Sequence, residues 1–102
     1  MIVVNTTFHI PATLKPVLVE WLRGPYTESA VQAGHINPRI ARVMGGNAED
    51  RDGISIAFQT EAQDLRHGRA WHDGKGQELR IELLKAAGKD KVAFFTTYLQ
   101  VL

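Results

Sequence analysis

The chain has no cysteine among its 102 residues. That excludes disulfides and thiol catalysis and fits a reducing compartment. Charge of neither sign is in excess: 12 Lys and Arg against 11 Asp and Glu leave a net +1. With no basic stripe, neither nucleic acid nor anionic lipid is expected as a partner. No apolar run approaches the roughly 20 residues of a membrane-spanning helix. The opening MIVVNTTFHI lacks the basic head and long apolar core of a secretory signal. A single domain over residues 1–102, cytoplasmic and not attached to a membrane, is therefore the expectation.

The familiar chemical motifs are missing too. No Gly-x-Gly-x-x-Gly run follows a strand, and Gly74-Lys75-Gly76 lacks the spacing of a phosphate cradle. No Gly-x-Ser-x-Gly elbow is present. His9, His35, His67 and His72 are the four histidines. The last two lie five residues apart, off the i, i+4 spacing of a helical ligand pair, and no carboxylate completes a set, so no metal site is expected. The sheet lacks the paired exposed aromatics on which RNA bases stack.

What is present is patterned. Residues 91–102 (KVAFFTTYLQVL) carry one charge, on Lys91, and are rich in threonine, valine and aromatics, which suits a strand. Both alternating faces are apolar, so both need cover. Ile2, Val4, Thr6, Phe8 and Ile10 alternate with Val3, Asn5, Thr7 and His9, which predicts a first strand over 2–10.

Leu14, Val17, Leu18, Trp21 and Leu22 then recur with helical period, with Thr13 as the N-cap and Pro16 in the first turn. Gly24-Pro25 should break or bend that helix, and a shorter piece over Thr27–Ala33 should close at Gly34. Residues 35–44 read as a second strand, at a sheet edge because Pro38 cannot donate to a ladder. Residues 45–53 read as a polar hairpin turn and 53–60 as a third strand. Thr60-Glu61-Ala62-Gln63 has the form of a capping box that would open a second helix running to about His72. A kink and a further helix with Leu79, Ile81, Leu83 and Leu84 should follow, ended by Gly88.

The order strand–helix–strand–strand–helix–strand, with right-handed crossovers, predicts an α+β, ferredoxin-like βαββαβ fold. Its four-stranded antiparallel sheet would have the order 4-1-3-2. The helices would cover one sheet face. The other, with an uncharged edge strand beside it, would be left bare. A homodimer joined through that free face and the final strand 92–102 is the economical assembly.

MIVVNTTFHI, with Trp21 and Ala33-Gly34 at their present distances and the closing Val92-Ala93-Phe94-Phe95-Thr96, resembles the uncharacterised domain-of-unknown-function family 4286 over nearly the whole chain. The resemblance implies a dimeric α/β barrel and no known reaction. The chain departs from the family pattern at Tyr26, where a histidine is expected, and at Phe95, where an arginine is expected.

Two functional readings follow. The first is a non-catalytic module that binds a small ligand or a protein, with the polar row Asn5, Thr7, His9 and Gln59 as either ligand site or dimer seam and with no cofactor. The alternative rests on Asn5, Trp71 and His72, which look similar to the catalytic sets of dimeric α/β-barrel monooxygenases, cofactor-independent or haem-degrading. Haem enters only under that alternative. Against it, adjacent helical residues point about 100° apart, and Asn5 falls on the face turned away from the helices. Trp71 also reads as a core anchor and His72 as a polar helix end.

Overall fold

The sheet is built on β1 (Ile2–Ile10), which pairs antiparallel on both sides. In a computed structural model describing residues 1–45 and 53–102, β3 (Ile54–Ala62) lies on one flank of β1 and β4 (Ala93–Gln100) on the other. The edge strand β2 (Ile36–Arg42) completes the order β2-β3-β1-β4, as expected from the sequence. Pro38 falls at a register shift between Ile36 and Arg39, on the edge where its missing N–H is harmless. The expected hairpin turn over 45–53 lies, apart from its two ends, outside the described residues.

Register decides which side chains face the helices. Val4, Thr6, Phe8 and Ile10 stand opposite Thr60, Phe58, Ile56 and Ile54, and all eight are buried. Phe8 is paired across β4 with Phe94, and Thr6 with Thr96. Two helical layers cover this face. The first is α1 (Lys15–Trp21), a bend over Leu22–Tyr26 and α2 (Thr27–Gln32); the second is α3 (Leu65–Trp71), a π-type turn over His72–Gly76 and α4 (Gln77–Ala87).

The bend is made at Gly24, whose φ/ψ of −92°/−105° no helix shares, just before Pro25. α2 ends in a Schellman motif: the Gly34 N–H donates to Val31 O, the His35 N–H donates to Ala30 O, and Gly34 supplies the φ of +94°. Gly88 ends α4, as the sequence suggests.

Some local expectations are corrected. Thr13 caps nothing: it lies inside a short 3₁₀ turn (Ala12–Leu14), and α1 starts at Lys15 without a side-chain cap. Pro16 does sit in the first turn. Val17 faces solvent, because the turn before α1 rotates the apolar stripe onto Leu18 and Leu22. Thr60-Glu61-Ala62-Gln63 is not a capping box. Thr60, Glu61 and Ala62 continue β3, since Val4, Val3 and Ile2 of β1 offer ladder partners that satisfy the backbone. The cap is Asp64, whose carboxylate accepts from the His67 N–H at 2.9 Å. That bond holds the Asp64 carboxyl below its usual range. Leu65 and Ile81 are exposed, and β4 begins at Ala93 with Val92 buried just before it.

Gly53, which leads into β3, has φ +119°, and a Cβ there would run into the Ile10 carbonyl. Gly53→Ala combines a left-handed φ with a backbone clash. It should lower the unfolding free energy by about 2 kcal/mol or more in urea titrations, with an unchanged slope.

Candidate functional site

The space between sheet and helices is filled by aromatic rings. Phe8 meets Trp21 and Tyr26 edge-on at 6.1 and 6.2 Å between centroids, and Tyr26 stacks on Trp21 at 4.4 Å. Tyr26 also contacts Phe58 and Trp71, each at 5.0 Å. The Gly24 bend is what turns Tyr26 inward, so that a fully buried phenol sits at the centre of the layer.

Arg80 reaches this centre from α4. It is 4% exposed. One terminal nitrogen donates to the Tyr26 hydroxyl at 2.8 Å, the other to the His72 carbonyl at 2.8 Å, and the guanidinium lies 5.3 Å above the Phe94 ring. Its Nε–H has no partner. Among the described residues no carboxylate lies within ion-pair distance of it. A buried cation held only by neutral groups costs several kcal/mol in desolvation that a counter-ion would offset. Burial pushes the Tyr26 hydroxyl up, and the neighbouring guanidinium opposes that shift. Gly76 makes room, since a Cβ there would stand 3.1 Å from an Arg80 terminal nitrogen and 3.0 Å from the Trp71 carbonyl.

Beside Arg80 a hydrogen-bonded chain crosses from sheet to helix. Thr6 and Thr96 hydroxyls meet at 2.9 Å, Thr96 meets His72 Nε2 at 2.7 Å, and His72 Nδ1 meets the Asp73 carboxylate at 2.9 Å. A carboxylate only accepts, so Nδ1–H donates to Asp73. Nε2 then accepts from Thr96, which in turn accepts from Thr6. Burial holds the His72 imidazole below its ordinary value, partly offset by Asp73. His72 opens the π-type turn, a distortion often found at functional positions.

The sequence candidates are distributed as follows. Trp71 is buried and donates its indole N–H to Ser29 at 2.9 Å. It faces α2, while His72 faces β4. Asn5 is on the opposite face of the sheet, where its carbonyl accepts from Gln59 at 3.2 Å. The three are not brought together. Both ring nitrogens of His72 are already engaged, so it does not fit as a haem ligand without losing Thr96 or Asp73.

The polar row is closer to the expectation. Asn5 with Gln59, and His9 with Ser55 at 3.0 Å, form two bonded pairs across β1 and β3 on the open face, with Thr7 between them. A shallow depression of about 120 Å³ adjoins Gln59 and is rimmed by Val3, Asn37, Arg39 and Glu61. A wider cleft of about 540 Å³ lies outside α1 among Lys15, Pro16, Val19, Glu20 and Arg23. Its lining mixes the charged Lys15, Glu20 and Arg23 with the apolar Pro16 and Val19. No group of three or more metal-ligating side chains occurs among the described residues.

Arg80, Thr96 and Thr6 are absent from the sequence-derived set. The faint signal for Arg80 is its place on the stripe Gly76, Arg80, Leu83, Ala87, where every other member is small or apolar.

His35 is also buried, with Nδ1 2.8 Å from the Thr60 hydroxyl, and burial lowers its pKa as well. Both imidazoles bind a proton less readily folded than unfolded. Their contribution to stability is complete above the unfolded value of about 6.5 and is lost as pH falls through the lower folded values. Thermal midpoints should therefore fall between roughly pH 7 and pH 5, above most carboxylate titration. A His35→Gln/His72→Gln double variant should flatten that limb.

Known structures place the fold. A putative antibiotic biosynthesis monooxygenase from Deinococcus radiodurans superposes with TM-score 0.72 at 13% identity, covering 100% of this chain and 93% of that one. A dimeric ferredoxin-like protein from an uncultured marine organism gives TM-score 0.69 at 13% identity, covering 99% and 94%. A monooxygenase of Streptomyces coelicolor in complex with nanaomycin D gives 0.62 at 20% identity, covering 99% and 90%. At these identities the likeness shows the fold alone. Among curated proteins no match is found. The family model that matches does so over residues 1–102, and the chain belongs to the family described as Domain of unknown function (DUF4286).

Proposed function

We propose that the protein is a non-catalytic homodimeric module that pairs through its open sheet face and binds a small ligand. The observation that carries the assembly is the contrast between the two sides of β4. Phe94, Thr96 and Tyr98 lean into the helical layer, whereas Phe95 is 63% exposed, Leu99 45% and Val101 57%. A long apolar row on an edge strand is an aggregation hazard unless covered. A second copy covers it with the same row, which a two-fold axis makes self-complementary. The polar pairs Asn5–Gln59 and His9–Ser55 each spend one hydrogen bond on one another, which lowers the cost of burying them in a seam. A neighbour of the same fold described as a dimeric ferredoxin-like protein supports a dimer.

The absence of catalysis is supported by the separation of Asn5 from Trp71 and His72. No helix among the described residues is long and apolar enough to cross a membrane, which agrees with the proposed cytoplasmic module.

One observation favours an oxygenase as a second reading: His72 is half-buried and held neutral, with Asp73 behind it and Thr96 in front, an arrangement suited to a base. Monooxygenases share the fold. The two readings separate by oxygen uptake with a hydroquinone in air. The module shows none above the blank, whereas uptake that disappears in His72→Ala establishes the oxygenase.

The assembly is checked by light scattering. The wild-type chain should have twice its sequence mass at micromolar concentration. Phe95→Glu and Leu99→Glu should each weaken the dimer at least about tenfold, because burying such a side chain contributes about 2 kcal/mol. A wild-type monomer removes the proposal.

A further inference from the structure

The guanidinium of Arg80 is a feature of the helical layer that the dimer does not explain. It is buried, its Nε–H is unpartnered, and no carboxylate among the described residues balances its charge. What covers it is a ring: Phe94, on the edge strand, lies 5.3 Å from the guanidinium and 5.9 Å from Phe8. Phe94 is itself 38% exposed. Of the two aromatic side chains in contact with Arg80, Tyr26 is fully buried and Phe94 stands part-exposed on the edge strand. Behind it stand Phe8, Trp21 and Tyr26, flat apolar surfaces with one hydroxyl among them. Box and cation lie on the helix side of the sheet, away from the proposed dimer face.

We infer that this box binds a small aromatic carboxylate. The ligand ring takes the place of the Phe94 ring against Phe8. Its carboxylate receives the free Nε–H and the adjacent terminal N–H of Arg80, the side-on fork that matches a carboxylate bidentately. The anion supplies the counter-charge the layer lacks, and the ring keeps the cation–aromatic contact that Phe94 otherwise provides. Tyr26, neutral and fixed by Arg80, orients the guanidinium and presents a hydroxyl beside the carboxylate. Both halves of the ligand are needed: a ring without charge leaves Arg80 unbalanced, and a carboxylate without a ring leaves the aromatic box open to water.

The inference rests on the small-ligand part of the proposed module, and the test separates it from the dimer. Benzoate serves as the probe, with benzamide and acetate as controls, read by thermal midpoint and titration calorimetry on the full chain. Benzoate should raise the midpoint of the wild-type protein, and the two controls should not. Phe94→Ala removes the competing ring from an edge-strand surface and should bind benzoate at least about tenfold more tightly. Arg80→Met should abolish the response; because it also leaves the Tyr26 hydroxyl and the His72 carbonyl without their donor, circular dichroism at the titration temperature checks that the variant is folded.

Three results overturn the inference: no benzoate response in either wild type or Phe94→Ala, a benzamide response equal to that of benzoate, or an unchanged response in Arg80→Met. Light scattering on the same samples keeps the two claims apart. A dimer that ignores benzoate removes the carboxylate site alone, and a monomer that binds it removes the dimer alone.

Discussion

A single guanidinium ties the helical layer together. Arg80, on α4, hydrogen-bonds the phenol that the Gly24 bend turns inward and the carbonyl at the start of the turn joining α3 to α4. Its plane lies against the edge strand through Phe94. Four separated stretches of chain thus converge on one charged group in a water-poor space, where each hydrogen bond is stronger than at the surface and each missing one costs more. Gly76 belongs to the same arrangement. It is small because Arg80 and the Trp71 carbonyl come within van der Waals reach of where its side chain would stand.

The two faces of the sheet carry different demands. On the helix face, apolar side chains from β1 and β3 are almost wholly out of water, and the polar members are bonded: Thr6 to Thr96, and Thr60 to His35. On the open face, polar side chains bond one another in pairs, while the apolar ones gather toward β4. Period-two alternation makes this division possible. A one-residue slip of β4 would place Phe95 in the layer and Thr96 outside it, breaking the chain that reaches His72. The cross-strand Thr6–Thr96 pair therefore fixes register as well as linking sheet to helix.

The architecture was legible because alternation and helical period are local signals. β1 and β3 announce themselves, Pro38 marks an edge, and Gly24-Pro25, Gly34 and Gly88 mark a bend and two ends. The errors are local as well. The run Thr60 to Gln63 matches a capping box in sequence, but the partner strand satisfies that backbone first, and a motif read four residues at a time does not contain the partner. Thr13 is misread for a related reason, since a short 3₁₀ turn shifts the start of the helix by one residue. The candidate site was legible only in part. His72 stands out as a histidine at a helix end, and Asn5 with Gln59 as a polar pair on an apolar strand. Arg80 looks like any surface arginine until the stripe it belongs to is known.

By itself the sequence determined the order of elements, the sheet order, and the presence of one apolar edge strand with a free side. These depend on side-chain period, on backbone preferences of glycine and proline, and on the handedness of crossovers, all of which act over short stretches. Only the tertiary structure decided that Asn5 and His72 lie on opposite faces, that Trp71 anchors the core, and that Arg80 is enclosed with no carboxylate among the described residues beside it. Those facts depend on which residues distant in the chain meet across a sheet a few ångströms thick. Burial changes the energy of a charge far more than any neighbour in sequence can.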